Sequence, residues 1–162
     1  VAILKGALSS IFHDVNYVNA PFLAKQRGIE IKIIKSEAPS SFTSLLKVKM
    51  TTDIETNSVS VSLIAKNIAR IVKLNDYDVI IKPNEHILIV PHINQVAMVA
   101  KVANTLCEEN INIGSMNVSQ NIKGSDMSIM VIDIDTALSE EMLNKISEIE
   151  GVHNPKCIKL NV

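Results

Sequence analysis

Apolar and polar residues follow two rhythms along this chain, and the change of rhythm is sharpest between Glu85 and Asn112. Ile87-Leu88-Ile89-Val90 is a short β-branched run bounded by charge and proline, which predicts a buried strand. It ends in His92-Ile93-Asn94. From Val96 onward, Val99, Val102, Ala103 and Leu106 fall on one helical face, with Lys101, Asn104, Glu108 and Glu109 on the other. Asn94 stands where an N-cap would stand. The strand therefore delivers His92 and Asn94 to a helix N-terminus, whose unpaired N–H groups favour an anion such as a carboxylate.

The pattern then repeats. Ile113 to Ser119 reads as a strand, and Asn121-Ile122-Lys123-Gly124 as a turn. Met127 to Ile134 is a strongly apolar strand. Ser139 caps a second helix, with Leu138 and Leu143 placed as a hydrophobic staple. Met142, Leu143, Ile146 and Ile149 form its buried stripe, and Gly151 closes it. Val152 to Leu160 is a last strand. The order strand, helix, strand, strand, helix, strand predicts a ferredoxin-like βαββαβ unit, an antiparallel sheet with both helices on one face.

The first half is less regular. Residues 3–12 are an apolar segment that reads as the end of a helix arriving from upstream. Asn19-Ala20-Pro21 opens a helix that stops at Gly28. Ile29 to Ile34 alternates as a half-buried strand does. Residues 37–41 are a Pro/Ser loop. Phe42 to Thr51 and Asn57 to Ala65 read as strands, and Ala69 to Leu74 with Tyr77 to Lys82 as a hairpin over Asn75-Asp76. Pro83-Asn84 marks a boundary. The expected architecture is α+β in two small domains, 1–83 and 84–162.

Composition narrows the chemistry. The net charge of −1 gives no attraction for nucleic acid or an anionic membrane surface. Aromatics are 3% and tryptophan is absent, so stacking platforms for bases are not expected. No apolar run reaches the roughly 18 residues of a membrane span, and no signal peptide is visible. Cys107 and Cys157 read as buried free thiols in a reducing compartment. The glycines, Gly6, Gly28, Gly114, Gly124 and Gly151, build neither G-x-G-x-x-G nor a phosphate loop. His13, His86, His92 and His153 are scattered, with no metal spacing and no catalytic triad order. Glu108-Glu109 and Glu140-Glu141 read as solvated helix faces, the second pair also complementing a helix N-terminus. No catalytic or metal-binding residues are expected.

Three features of the second half resemble an ACT domain, the small regulatory module that binds amino acids. They are His92-Ile93-Asn94, Glu109-Asn110-Ile111-Asn112-Ile113 and Glu150-Gly151-Val152. Upstream, Val15-Asn16-Tyr17-Val18-Asn19-Ala20-Pro21 with Ala24-Lys25-Gln26-Arg27-Gly28-Ile29 is similar to the intervening, allosteric substrate-binding domain of long-form D-3-phosphoglycerate dehydrogenases. Ser58-Val59-Ser60-Val61 and Arg70-Ile71-Val72 fit later parts of that domain. The resemblance implies a non-catalytic, cytoplasmic regulatory fragment of an NAD-dependent enzyme of L-serine synthesis. NAD itself would be held by the parent enzyme.

In that family two ACT domains pair side by side and L-serine lies between them. The matching effector positions are His92, Asn94 and, from the partner subunit, Asn112. Lys25, Arg27 and Arg70 are the cations in the blocks associated with a second, anionic effector. Read for structure alone, Asn94 is an N-cap worth about 1 kcal/mol, His92 a strand-end histidine and Asn112 a turn residue. The family's Asn-Arg-Pro-Gly reads Asn94-Gln95-Val96-Ala97 here, a methyl where glycine would let the backbone approach a ligand. Two alternatives stand beside this expectation: the ACT-containing part of an L-serine dehydratase, and a dimerisation module without effector binding.

Overall fold

The computed structural model describes residues 1–9, 11–36, 42 and 44–160. The chain is α+β and divides into two compact units, Val1–Pro39 and Ser40–Val162. Among the described residues no helix is long and apolar enough to cross a membrane.

The first unit holds α1 (Ala2–Ser9) and α2 (Ala20–Gln26). They close over Leu8, Val15, Ala20 and Ala24, with Leu4, Phe12 and Leu23 beside them. The Asn16–Asn19 segment explains how α2 starts. The Asn16 Oδ1 accepts from the N–H groups of Val18 and Asn19, and the Asn19 Oδ1 accepts from the Asn16 N–H at 2.8 Å. Asn19 also donates from Nδ2 to the Asp14 carbonyl at 2.7 Å. Two asparagines thus lock the loop reciprocally, and Pro21 starts the helix with its φ already set.

The stop is equally local. Gly28 adopts φ +69°, its N–H donates to the Lys25 carbonyl and the Ile29 N–H reaches back to Ala24, a Schellman closure. Residues 29–34 correct the expectation from their alternation. They form no described strand, and Ile33 and Ile34 are exposed. Alternation supplies two faces, but a strand also needs a neighbouring backbone. The expected loop at 37–41 lies outside the described residues.

The second unit carries two antiparallel sheets. The first is a meander of β1 (Leu45–Thr51), β2 (Thr56–Ala65), β3 (Ile68–Leu74) and β4 (Tyr77–Ile81), in that order. Asn75 sits at φ +48° in the two-residue turn between β3 and β4, and its Oδ1 accepts from the Ser58 N–H. The second sheet has β5 (His86–Ile93), β6 (Ile113–Gln120), β7 (Met127–Ile134) and β8 (Lys156–Lys159), in the order β6-β7-β5-β8. Between them run α3 (Met98–Glu108) and α4 (Glu140–Ser147).

Both helices bury apolar stripes against one core: Met98, Val102 and Leu106 from α3, Met142 and Ile146 from α4, Leu88 and Val90 from β5, Met130 and Ile132 from β7. Ser139 caps α4 by accepting from the Met142 N–H at 3.1 Å, and Leu138 and Leu143 pack beside it as a staple does. The other face of β5 and β7 presents Ile87, Ile129 and Val131 to Val79 and Ile81 of β4. Apolar on both faces, β5 and β7 are fully buried strands, which is why their sequences scarcely alternate.

Three expectations in this half shift. The stripe of α3 is rotated, so Val99 and Cys107 face solvent; Cys107 is an exposed thiol, and Cys157 is half-buried. The last strand is shorter: Val152 makes an isolated bridge to His92, and β8 begins after Pro155. The helix after Ser139 ends at Ser147, so Gly151, at φ +92°, shapes the turn that follows.

Candidate functional site

The corner between β5 and α3 is built from backbone first. The Ile93 N–H donates to the Gly151 carbonyl at 2.8 Å, the Asn94 N–H to the Asp126 carbonyl at 2.7 Å, and the His153 N–H to the Pro91 carbonyl at 2.8 Å. Gly151 lies against Met98; a Cβ there would stand 3.5 Å from its sulfur. Asn94 is not the N-cap of α3. That place is taken by Ala97, with φ +69° and ψ 0°, and no side chain caps the helix. Its first turn carries no acidic residue either, so the leading N–H groups have neither a cap nor a charge to complement them. By contrast, α4 has its serine cap and Glu140 and Glu141 in its first turn.

The three expected effector residues occupy different situations. His92 is buried, 3% exposed, with Nδ1 3.0 Å from the Val90 carbonyl oxygen. A carbonyl oxygen only accepts, so Nδ1 carries a proton, and in the neutral tautomer the lone pair is on Nε2. Asn94 is exposed just beyond the strand end. Asn112 is also exposed, but it lies past the far end of α3. Eleven helical residues span roughly 16 Å. Its backbone is tied to Asp135, which accepts from the Asn112 N–H at 3.2 Å and donates to its carbonyl at 3.3 Å. One chain therefore brings His92 and Asn94 together and holds Asn112 away from them.

The expected cations are scattered as well. Lys25 lies in the last turn of α2 and Arg27 at its C-cap, the carbonyl end that favours cations over anions. The Arg27 guanidinium stacks 4.7 Å over the Phe12 ring. Arg70, in the second unit, donates to the Ala69 carbonyl at 2.8 Å. Among the described residues no three His, Cys, Asp or Glu side chains group as a metal site would require. The Glu108-Glu109 pair is not merely solvated: Lys145 of α4 donates to Glu109 at 2.8 Å and lies 3.6 Å from Glu108. That hydrogen bond holds the Lys145 ammonium above its ordinary range.

Sequence reading missed the polar row beside the corner. Gln120 of β6 pairs with Ser128 of β7, and Ser128 pairs with His92 of β5. Ser128 is fully buried and its Oγ has no partner among the described residues, a situation that costs about 1–3 kcal/mol. The signal was a lone serine inside the apolar run MSIMVIDI.

Two kinds of known protein are similar to this chain. Residues 1–75 match the family described as D-3-phosphoglycerate dehydrogenase intervening domain. Along 99% of its length the chain is 30% identical to a D-3-phosphoglycerate dehydrogenase of Synechocystis, and along 98% it is 32% identical to that of Methanocaldococcus jannaschii. The chain is similar to D-3-phosphoglycerate dehydrogenases along nearly its whole length. It spans about 30% of the length of these curated relatives. It is also 24% identical, over 94% of its length, to a probable L-serine dehydratase beta chain of Bacillus subtilis, of which it covers 69%. The asparagine-locked loop of the first unit lies inside the matched residues 1–75, and the His92 corner lies beyond them.

Proposed function

We propose that this chain is the regulatory part of an NAD-dependent D-3-phosphoglycerate dehydrogenase of L-serine synthesis. Its second half acts as an ACT domain that pairs with a second copy and binds L-serine between them. With no glycine-rich phosphate loop in its sequence, the chain does not fit NAD, and hydride transfer belongs to parts of a longer cytoplasmic enzyme.

The observation that carries the reading is the outer strand β6. Its sequence IGSMNVSQ holds no charge and no proline, whereas the outer strands β1 and β8 carry Lys47 and Lys49, and Lys156 and Lys159. Natural sheets guard free edges with lysine or proline; β6 has neither, and the outer strand β4, YDVII, which also lacks both, bridges through Tyr77 to Asn121 just past the end of β6. Pairing two β6 strands antiparallel about a two-fold sets the start of one opposite the end of the other. The end of β6 is Gln120, in the row with Ser128 and His92. The start of the second copy's β6 follows directly on its Asn112. The pairing thus supplies the corner with the asparagine that one chain holds about a helix length away.

The site then has complementary chemistry. The uncapped first turn of α3 receives a carboxylate. The amide oxygens of Asn94 and of Asn112 from the second copy receive an ammonium, and His92 forms the buried floor. Calorimetric titration of L-serine, with sizing of the dimer, tests this. Saturable binding that disappears in Asn112→Ala while the dimer persists is the expected result. A dimer that binds no amino acid would leave an assembly module alone. The dehydratase kinship gives a second reading, the regulatory portion of an L-serine dehydratase; NAD reduction with D-3-phosphoglycerate by the full-length protein decides between the two.

A further inference from the structure

Ser128 stands directly opposite His92 on neighbouring antiparallel strands. Opposed side chains in such a pair have Cβ atoms about 4.5–5.5 Å apart, within reach of a hydroxyl and a ring nitrogen. Both point to the helix side of the sheet: Ser128 alternates with Met130 and Ile132, and His92 with Val90 and Leu88, all in the core under α3 and α4. The two groups are complementary as donor and acceptor. Ser128 has a buried hydroxyl without a partner. With Nδ1 committed to the Val90 carbonyl, the neutral tautomer of His92 has its lone pair on Nε2. The backbone beside His92 is engaged, the Ile93 N–H with Gly151 and the Pro91 carbonyl with His153, and the core around the pair is apolar.

We propose that Ser128 is a positioning residue of the effector corner, its hydroxyl donating to Nε2 of His92. The functional half of this inference rests on the effector reading above; the pairing does not. The imidazole is then held at both nitrogens and fixed in its plane. His92 pairs in turn with Val152 through its backbone and immediately precedes the Ile93 N–H that Gly151 anchors. A fixed ring therefore fixes the strand end from which Asn94 projects. Ser128 would act on the ligand through His92 and Asn94 without touching it.

Nitrogen-15 spectra of the histidine rings, with His92→Gln to assign the signal, test the pairing in the intact chain before any ligand is added. The expected wild-type spectrum shows His92 protonated at Nδ1, with Nε2 displaced from the free-acceptor position. In Ser128→Ala that displacement is lost, and in Ser128→Thr, which keeps the hydroxyl, it is retained. L-serine affinity is expected to fall about tenfold in Ser128→Ala, the loss of one hydrogen bond's positioning, with the fold intact by circular dichroism. An Nε2 signal unchanged between wild type and Ser128→Ala overturns the pairing. A lost hydrogen bond with unchanged affinity overturns the positioning role. A paired ring in a wild-type chain that binds no amino acid overturns the effector reading and the positioning role with it, while the spectrum still establishes the pairing.

Discussion

Ala97 is the residue whose replacement should make the protein more stable. Its φ of +69° is in the left-handed region, where a Cβ crowds the following carbonyl and costs about 1–2 kcal/mol. Glycine carries no such penalty, but it loses about 0.5–1 kcal/mol more backbone entropy on folding. The Ala97 methyl is on an exposed residue and buries nothing that would be forfeited. Ala97→Gly should therefore stabilise the second unit by about 0.5–1 kcal/mol. At about 2–4 °C per kcal/mol for a chain of this size, Tm rises by roughly 1–4 °C. Urea titration should move the midpoint with an unchanged slope. Ala100→Gly, two residues into α3 at an exposed helical position, gives the opposite sign by about 0.5–1 kcal/mol. Opposite signs from the same substitution three residues apart isolate backbone conformation as the cause. A lower Tm for Ala97→Gly refutes the left-handed cap and the corner geometry built on it.

Gly114→Ala should destabilise by about 1–3 kcal/mol, because its Cβ would stand 2.7 Å from the Asp133 Oδ2, which also accepts from the Asn84 side chain; an Asp133→Ala background should relieve most of that loss in chemical denaturation. Val118→Lys puts a charge in the middle of the outer strand β6 at a residue already 47% exposed, so sizing should show monomer while circular dichroism stays native. Lys145 has a raised pKa through Glu109, so its contribution to stability is present below the ordinary lysine range and lost as pH rises through the folded value. Thermal melts across alkaline pH should show a slope that Lys145→Met flattens and added salt weakens.

Much of the fold could be read from local pattern. The Asn75-Asp76 turn, the Ser139 cap with its leucine staple, and the apolar strand at Met127 to Ile134 are each set by a few adjacent residues. What misled was non-local. Alanine is the best helix former, so nothing at position 97 announces a left-handed residue; the cap therefore seemed to belong to Asn94, three residues early. The buried stripe itself starts at Met98 and recurs every four residues at Val102 and Leu106, which leaves Val99 and Cys107 facing solvent. Ile29 to Ile34 has the rhythm of a strand, but a strand is a relation between two backbones, and one segment cannot reveal the second. His92 and Asn94, two residues apart in sequence, marked the corner between β5 and α3. The row through Ser128 was not legible, because register across three strands appears only once they are paired.

The same pairing bears on how a ligand at the corner would be felt elsewhere. A ligand changes a conformational equilibrium only by the difference in its affinity for the two states; a 100-fold preference supplies about 2.7 kcal/mol. Here the strands that carry His92 and Ser128 on one face carry Ile87, Ile129 and Val131 on the other, against Val79 and Ile81. The hairpin tips are joined too: the Ile122 N–H donates to the Asp76 carbonyl at 3.0 Å, and Lys123 pairs with Asp76 at 2.8 Å. A packed apolar face transmits a shift of its strands because voids in it are costly. Any movement of β5 and β7 must then either carry the first sheet along or open that face. The lower-cost response is to move both sheets together, and this argues for the two-sheet unit, and not the βαββαβ part alone, as the body that an effector would displace.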